Sequence, residues 1–227
     1  MSIDVDKLKS YLIEIWRDLF NDKNYWETIV EKINSSIIKG YVILPSFENI
    51  FKALNTIDFT KFKVLILGQD PYPTIGVPTG YAFSVSKETR LIPPSLKNVR
   101  KEVYSEFGTE LNYTLDSWIN QGVLLLNSVL TIGIKKPSLK DVHKGCGWEL
   151  FIYDVLKFLD DNYTFVVLSW GVEASKIISR VIIKNKKNVI YSGHPSSLNT
   201  ENPFVGCGCF KDANMKLLSL NLMPIKW

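Results

Sequence analysis

Four short runs of Val, Ile, Leu and aromatic residues carry no alternating polar positions: residues 64–67 (VLIL), 123–126 (VLLL), 165–168 (FVVL) and 189–191 (VIY). A strand with one wet face alternates apolar and polar side chains, whereas a continuous apolar run belongs to a strand covered on both faces. Between the runs lie helix-length stretches: 95–107 after Pro93-Pro94, ending at Gly108; 148–159 after Gly145-Cys146-Gly147; and 173–183 after Gly171. Each is long enough for a crossover between parallel strands. The expected fold is therefore α/β, a three-layer α/β/α arrangement with a central four-stranded parallel twisted sheet flanked by helices.

The first sixty residues read as helical. The spacing predicts a helix over 5–20 with Leu8, Leu12, Ile15 and Leu19 on one face, a second over 25–38 stopping at Gly40, and a third over 47–54 with Ser46 as N-cap. A last helix is predicted over 211–221. With no repeat, low-complexity tract or linker, residues 1–227 are expected to form one domain, helical over 1–60 and carrying its motifs over 61–227.

Composition narrows the function classes. A net charge of +4 on 227 residues permits a nucleic-acid partner without arguing for one. Three cysteines (Cys146, Cys207, Cys209) and two histidines (His143, His194) make neither a disulfide framework nor a zinc or iron–sulfur ligand set. No window approaches the roughly 18 apolar residues of a membrane span, and the N-terminus lacks a secretory apolar region. The expectation is a soluble protein of a reducing intracellular compartment, with no metal, no cofactor and no membrane association. No GxGxxG or GxxxxGK[ST] follows the first run, which counts against a nucleotide-binding protein.

The chemistry-bearing residues sit just past the apolar runs: Asp70 after the first, Asn127 after the second, Ser169 and Trp170 at the end of the third, and Gly193-His194-Pro195 after the fourth. In open α/β sheets ligands bind beyond the carboxyl ends of the strands. Four polar strand ends on one edge make a constellation.

These residues lie in segments reading GQDPY (68–72), GYAFSV (80–85), PPSL (93–96), GVLLLNSVLT (122–131), HKGCGWELF (143–151), HPSSL (194–198) and FVGCGCF (204–210). In that order and near those spacings, the chain over 41–227 resembles the family-1 uracil-DNA glycosylases. The resemblance implies hydrolysis of the N-glycosidic bond of uracil in DNA after base flipping, by a monomer that uses no cofactor. It also implies two partners, uracil-containing DNA and a glycosylase-inhibitor protein. An oxocarbenium-like transition state needs an anion beneath the sugar and a donor aimed at the departing base. By the resemblance Asp70 is that anion and positions the water, while His194, as a neutral imidazole, donates to uracil O2. Asn127 offers the donor and acceptor that match uracil and mismatch cytosine. Tyr72 blocks the thymine methyl, Phe83 stacks on the flipped base, and Gln69 completes the pocket wall. Pro93, Pro94, Ser95 and Ser196 are implied to grip the DNA backbone, with Leu198 as the apolar wedge that fills the vacated stack. Ser169 is read as a further hydroxyl within reach of phosphates.

The chain departs from the family pattern at several points. Pro73 stands where a His usually follows the Tyr, and Ser197 replaces a Pro in the wedge motif. Glu201-Asn202-Pro203 lacks the usual cation, and residues 133–142 read as a lengthened loop whose Lys135, Lys136 and Lys140 offer phosphate contacts. A DNA-binding or replication-accessory role on the same scaffold is the rival reading.

Overall fold

The computed structural model describes residues 2–135, 139–196 and 203–227. Its centre is a four-stranded parallel sheet of β2 (Val64–Gly68), β3 (Val123–Asn127), β6 (Val166–Trp170) and β7 (Val189–Ser192), in the order β3-β2-β6-β7. β2, β3 and β6 are buried at every position, as the unbroken apolar runs require. Their side chains alternate between two cores. Leu65, Leu67, Leu124, Leu126 and Val167 pack against one helical layer, whereas Val64, Ile66, Val123, Leu125, Val166 and Leu168 pack against the other. The first layer holds α1 (Val5–Ser10), α2 (Glu14–Leu19), α3 (Tyr25–Ile38), α4 (Lys52–Asn55), α7 (Trp148–Asn162) and α8 (Val172–Val181). The second holds α5 (Pro94–Phe107), α6 (Asp116–Asn120) and α9 (Cys209–Ser219). The three-layer α/β/α expectation is met.

Three local expectations are corrected. The predicted helix over 5–20 is two helices, because the Asn55 carboxamide enters between them, donating to Tyr11 O at 2.7 Å and accepting from Ile13 N at 3.0 Å. The break resets the helical phase. Leu8, Leu12, Trp16 and Phe20 are buried, whereas Ile15 and Leu19 are 43% and 42% exposed. The predicted helix over 47–54 is a 3-10 turn (Phe47–Asn49) followed by α4, and Ser46 Oγ accepts from the Asn49 side chain instead of capping backbone. Residues 133–142 are more than a loop. β4 (Ile132–Lys135) and β5 (Leu139–Val142) pair antiparallel, and β4 also pairs with β1 (Val42–Leu44), making a second sheet of order β1-β4-β5. In it Lys135 Nζ donates to Lys39 O at 2.9 Å.

Candidate active site

In register, Gly68 at the end of β2 faces Asn127 at the end of β3, and Trp170 at the end of β6 faces Ser192 at the end of β7. The residues immediately beyond these ends therefore converge. A cavity of about 140 Å³ opens there, lined among others by Gln69, Asp70, Tyr72, Phe83, Asn127 and His194.

Gly68 and Gln69 are anchored to the neighbouring strand's loop. Ser128 N donates to Gly68 O at 3.0 Å, and Val129 N and Ser128 Oγ donate to Gln69 O at 2.9 and 3.0 Å. This fixes the sharp exit from β2 and the direction of Asp70. Burial pushes the Asp70 carboxyl above the usual carboxylate range, and the cations Lys140 and Lys144 pull it back towards ionisation. Asn127 is 8% exposed, and among the described residues no group hydrogen-bonds its amide. A nearly buried amide normally finds a partner inside the protein; this one presents its donor and acceptor to the cavity.

The imidazole of His194 has a definite proton. Ser196 N donates to its Nδ1 at 3.0 Å. A nitrogen that accepts carries no hydrogen, so the ring is neutral with its proton on Nε2. Burial lowers its pKa and favours the same state. Gly171 makes the ring's position possible. A Cβ there would lie 2.7 Å from His194 Cβ, at a backbone φ of +86° that favours glycine.

Phe83 forms the aromatic wall. Its φ is +63°, uncommon for a bulky residue and a mark of backbone held against its preference. Its ring packs edge-on against Trp170 at 5.0 Å. Tyr72 is pinned from two sides: its Oη donates to Phe83 O at 3.3 Å and lies 3.2 Å from Ser95 Oγ. Burial pushes the phenol up to about 12, so it stays protonated. The wall is rigid, neutral and tied to the start of α5.

The model of the uracil DNA glycosylase superfamily matches residues 55–218. The chain belongs to the uracil DNA glycosylase superfamily. A uracil-DNA glycosylase of Francisella tularensis is 37% identical over 220 residues, 93% of this chain and 97% of that protein. One from Aliarcobacter butzleri is 35% identical over 93% of this chain and 99% of its own. Among solved structures, mimivirus uracil-DNA glycosylase superposes with a TM-score of 0.81 at 30% identity, over 97% of this chain and 88% of that one.

With the superfamily established, the remaining sequence-derived positions divide. Pro93 is the N-cap of α5, Pro94 its first residue, and Ser95 follows beside Tyr72 and lines the cavity. Ser196 sits in the His194 turn. Ser169 is a correction: it is fully buried, and its Oγ lies 3.1 Å from Ser175 Oγ. Strand alternation puts it on the same face as Val167, under α8, and out of reach of a phosphate. Leu198, like Lys136, Ser197, Glu201 and Asn202, lies outside the described residues.

The cavity also uses residues that strand-end reasoning passed over. Pro45, Ile50, Pro73, Pro78, Tyr81 and Leu130 line it. Lys144, inside a quoted motif but given no role, bonds Glu173 at 3.0 Å and bears electrostatically on Asp70. Its place beside one of only two histidines in the chain was the signal the sequence offered. Among the described residues no group of three or more His, Cys, Asp or Glu side chains could hold a metal ion, and no helix is long and apolar enough to cross a membrane.

Proposed function

We propose that this chain is a monofunctional uracil-DNA glycosylase of base excision repair, releasing free uracil from DNA and leaving an abasic site. Cleavage of the glycosidic bond leaves positive charge on the deoxyribose and negative charge on uracil. Asp70 is the anion beneath the sugar and orients the attacking water. His194 donates its Nε2 proton in a hydrogen bond to uracil O2 as charge develops there; a fixed dipole does this without reorganisation. The Asn127 amide accepts from uracil N3–H and donates to O4. Cytosine presents the opposite polarity, and leaving buried polar groups mismatched costs about 1–3 kcal/mol each. Tyr72 excludes the thymine methyl by contact, and Phe83 stacks on the ring. The Pro93–Ser95 and His194–Ser196 turns take the flanking phosphates.

The observation that carries this reading is the meeting of Asp70, Asn127 and His194, from three different strands, around one cavity of about 140 Å³. We also infer that the chain works as a single-domain monomer, and that an inhibitor protein engages the same cleft. A mimivirus glycosylase variant, 31% identical and with a TM-score of 0.82, has been solved in complex with UGI.

The test is release of free base from paired oligonucleotides carrying uracil, thymine or cytosine, by the wild type and by Asp70→Asn. Release confined to uracil and lowered by orders of magnitude in Asp70→Asn is expected. Absence of uracil release by the wild type would overturn the reading, and near-wild-type turnover by Asp70→Asn would overturn the role of the carboxylate.

A further inference from the structure

Helix α5 carries three polar residues at helical spacing on one stripe, Asn98, Glu102 and Glu106. Asn98 bonds backbone of the His194 turn itself, and Glu102 and Glu106 bond backbone of residues 206–211. Asn98 Nδ2 donates to Pro195 O at 2.9 Å. Glu102, only 1% exposed, accepts from the Gly206 N–H, and from Gly208 N at 2.7 Å. Glu106 accepts from Phe210 N at 3.2 Å and Lys211 N at 2.5 Å.

Glu102 is an expensive way to hold a loop. A carboxylate taken out of water loses its hydration, and among the described residues no Lys or Arg forms an ion pair with it. It grips a pair of peptide N–H groups, and the Cys207 thiol and the Glu106 carboxyl lie in hydrogen-bond contact with it as well. Apolar packing would anchor a segment more cheaply, but it would not set the position of two successive turns.

The gripped segment leads to the base-stacking wall. Cys207 N donates to Phe204 O at 3.2 Å, closing the turn that Glu102 holds. Phe204 is buried, and its ring packs edge-on against Trp170 at 4.9 Å; Trp170 in turn packs against Phe83 at 5.0 Å. Trp170 is itself almost fully buried, and in a close-packed interior a shift of Phe204 is passed on to the rings it touches. Phe83 stands at the end of this row in a backbone conformation it would not adopt unaided.

We propose that Glu102 is a positioning residue for glycosidic cleavage: by holding Gly206 and Gly208 it seats Phe204 on Trp170, and so fixes the Phe83 ring on which the flipped base stacks. The inference rests on the stacking role read for Phe83 above. Glu102 never touches substrate; it acts through Phe204 and Trp170.

The test compares wild type, Glu102→Gln, Phe204→Leu and the double variant. The readouts are kcat and KM on a single-stranded uracil oligonucleotide, inhibition by free uracil, and melting temperature. Each single variant is expected to lower kcat about tenfold or more and to weaken uracil inhibition by a similar factor. KM for the oligonucleotide should change little, since the phosphate-binding turns are not in the row. The double variant should be no worse than the poorer single variant, because both break one chain of contacts. A lowered melting temperature with unchanged kcat and unchanged uracil inhibition would overturn the proposal, as would additive losses in the double variant. If Glu102→Gln does not fold, Phe204→Leu carries the test, and unchanged kcat and uracil inhibition there overturn it. A wild type that releases no uracil sinks the functional reading; an active wild type with unaffected variants sinks only this inference.

Discussion

Gly68→Ala is the substitution that most directly probes how the site is assembled. Gly68 does not have a left-handed backbone, so alanine brings no backbone strain, and the destabilising part of its effect is steric. A Cβ at this position would lie 2.3 Å from Asn127 Oδ1, 3.4 Å from Asn127 Cγ and 2.8 Å from Ala82 Cβ. Ordinary contact begins near 3.4 Å, so the amide oxygen must retreat by about 1 Å. Overpacking of this kind costs about 1–3 kcal/mol of stability, which in a chain of this size lowers Tm by about 2–4 °C per kcal/mol. The catalytic cost is of similar size in free energy but falls on the rate. Misplacing a positioning group by about 1 Å costs on the order of 100-fold in rate, and here the group is the one that reads the base. Single-turnover uracil release and thermal melting measure the two effects separately. The Asn127→Ala background supplies the control: with the amide gone, Gly68→Ala should cost clearly less stability, the remainder being the contact with Ala82. Wild-type turnover by Gly68→Ala, or the same stability loss in both backgrounds, would refute the argument that the glycine exists to admit the Asn127 amide.

Three further outcomes follow from the geometry. Tyr72→Ala removes a wall held by Phe83 O and Ser95, so thymine release should become detectable beside uracil release in the same assay; an unchanged uracil-to-thymine ratio would discount the wall. Lys144→Met removes a cation that favours ionised Asp70 and leaves Glu173 without that partner, so the acidic limb of the kcat profile should move to higher pH; no movement would show that Lys144 does not act on Asp70. His143 is buried between Thr131 and Ser36, at 2.8 and 2.9 Å, and burial holds its pKa down to about 4 from 6.5. The folded state thus binds fewer protons than the unfolded state between those values. The corresponding stability is fully present above about pH 6.5 and lost as pH falls towards 4, a change of at most about 3.4 kcal/mol at 1.36 kcal/mol per unit. Denaturation at pH 7 and pH 4.5 should show the drop in the wild type and a smaller one in His143→Phe.

The elements that were legible from sequence are those set by local pattern. The four apolar runs became the four central strands, each within a residue or two, because burial on both faces leaves no other composition. The polar residue just past each run could be read for the same reason. What failed was set by distant groups. The helix over 5–20 broke because Asn55 caps the break from beyond α3. The start of α9 came two residues early because carboxylates of α5 hold the N–H groups there. The antiparallel sheet over 133–142 was hidden because β5 is short and exposed, and its neighbour β4 takes its other partner, β1, from ninety residues upstream. Ser169 was assigned to the wrong side because a strand end fixes depth along the sheet but not which face a side chain takes.

The sequence alone determined which chemical groups are present and that they stand at one edge of one sheet: a carboxylate, an amide, an imidazole and two aromatic rings in a recognisable set of motifs. Only the tertiary structure decided their states and directions. The neutral His194 with its proton on Nε2 depends on the Ser196 N–H and on burial; the raised Asp70 pKa depends on desolvation opposed by Lys140 and Lys144; the Phe83 ring depends on Trp170 and a backbone held at positive φ. Residue type and spacing are local quantities, while proton positions and ring orientations answer to neighbours that only folding brings close.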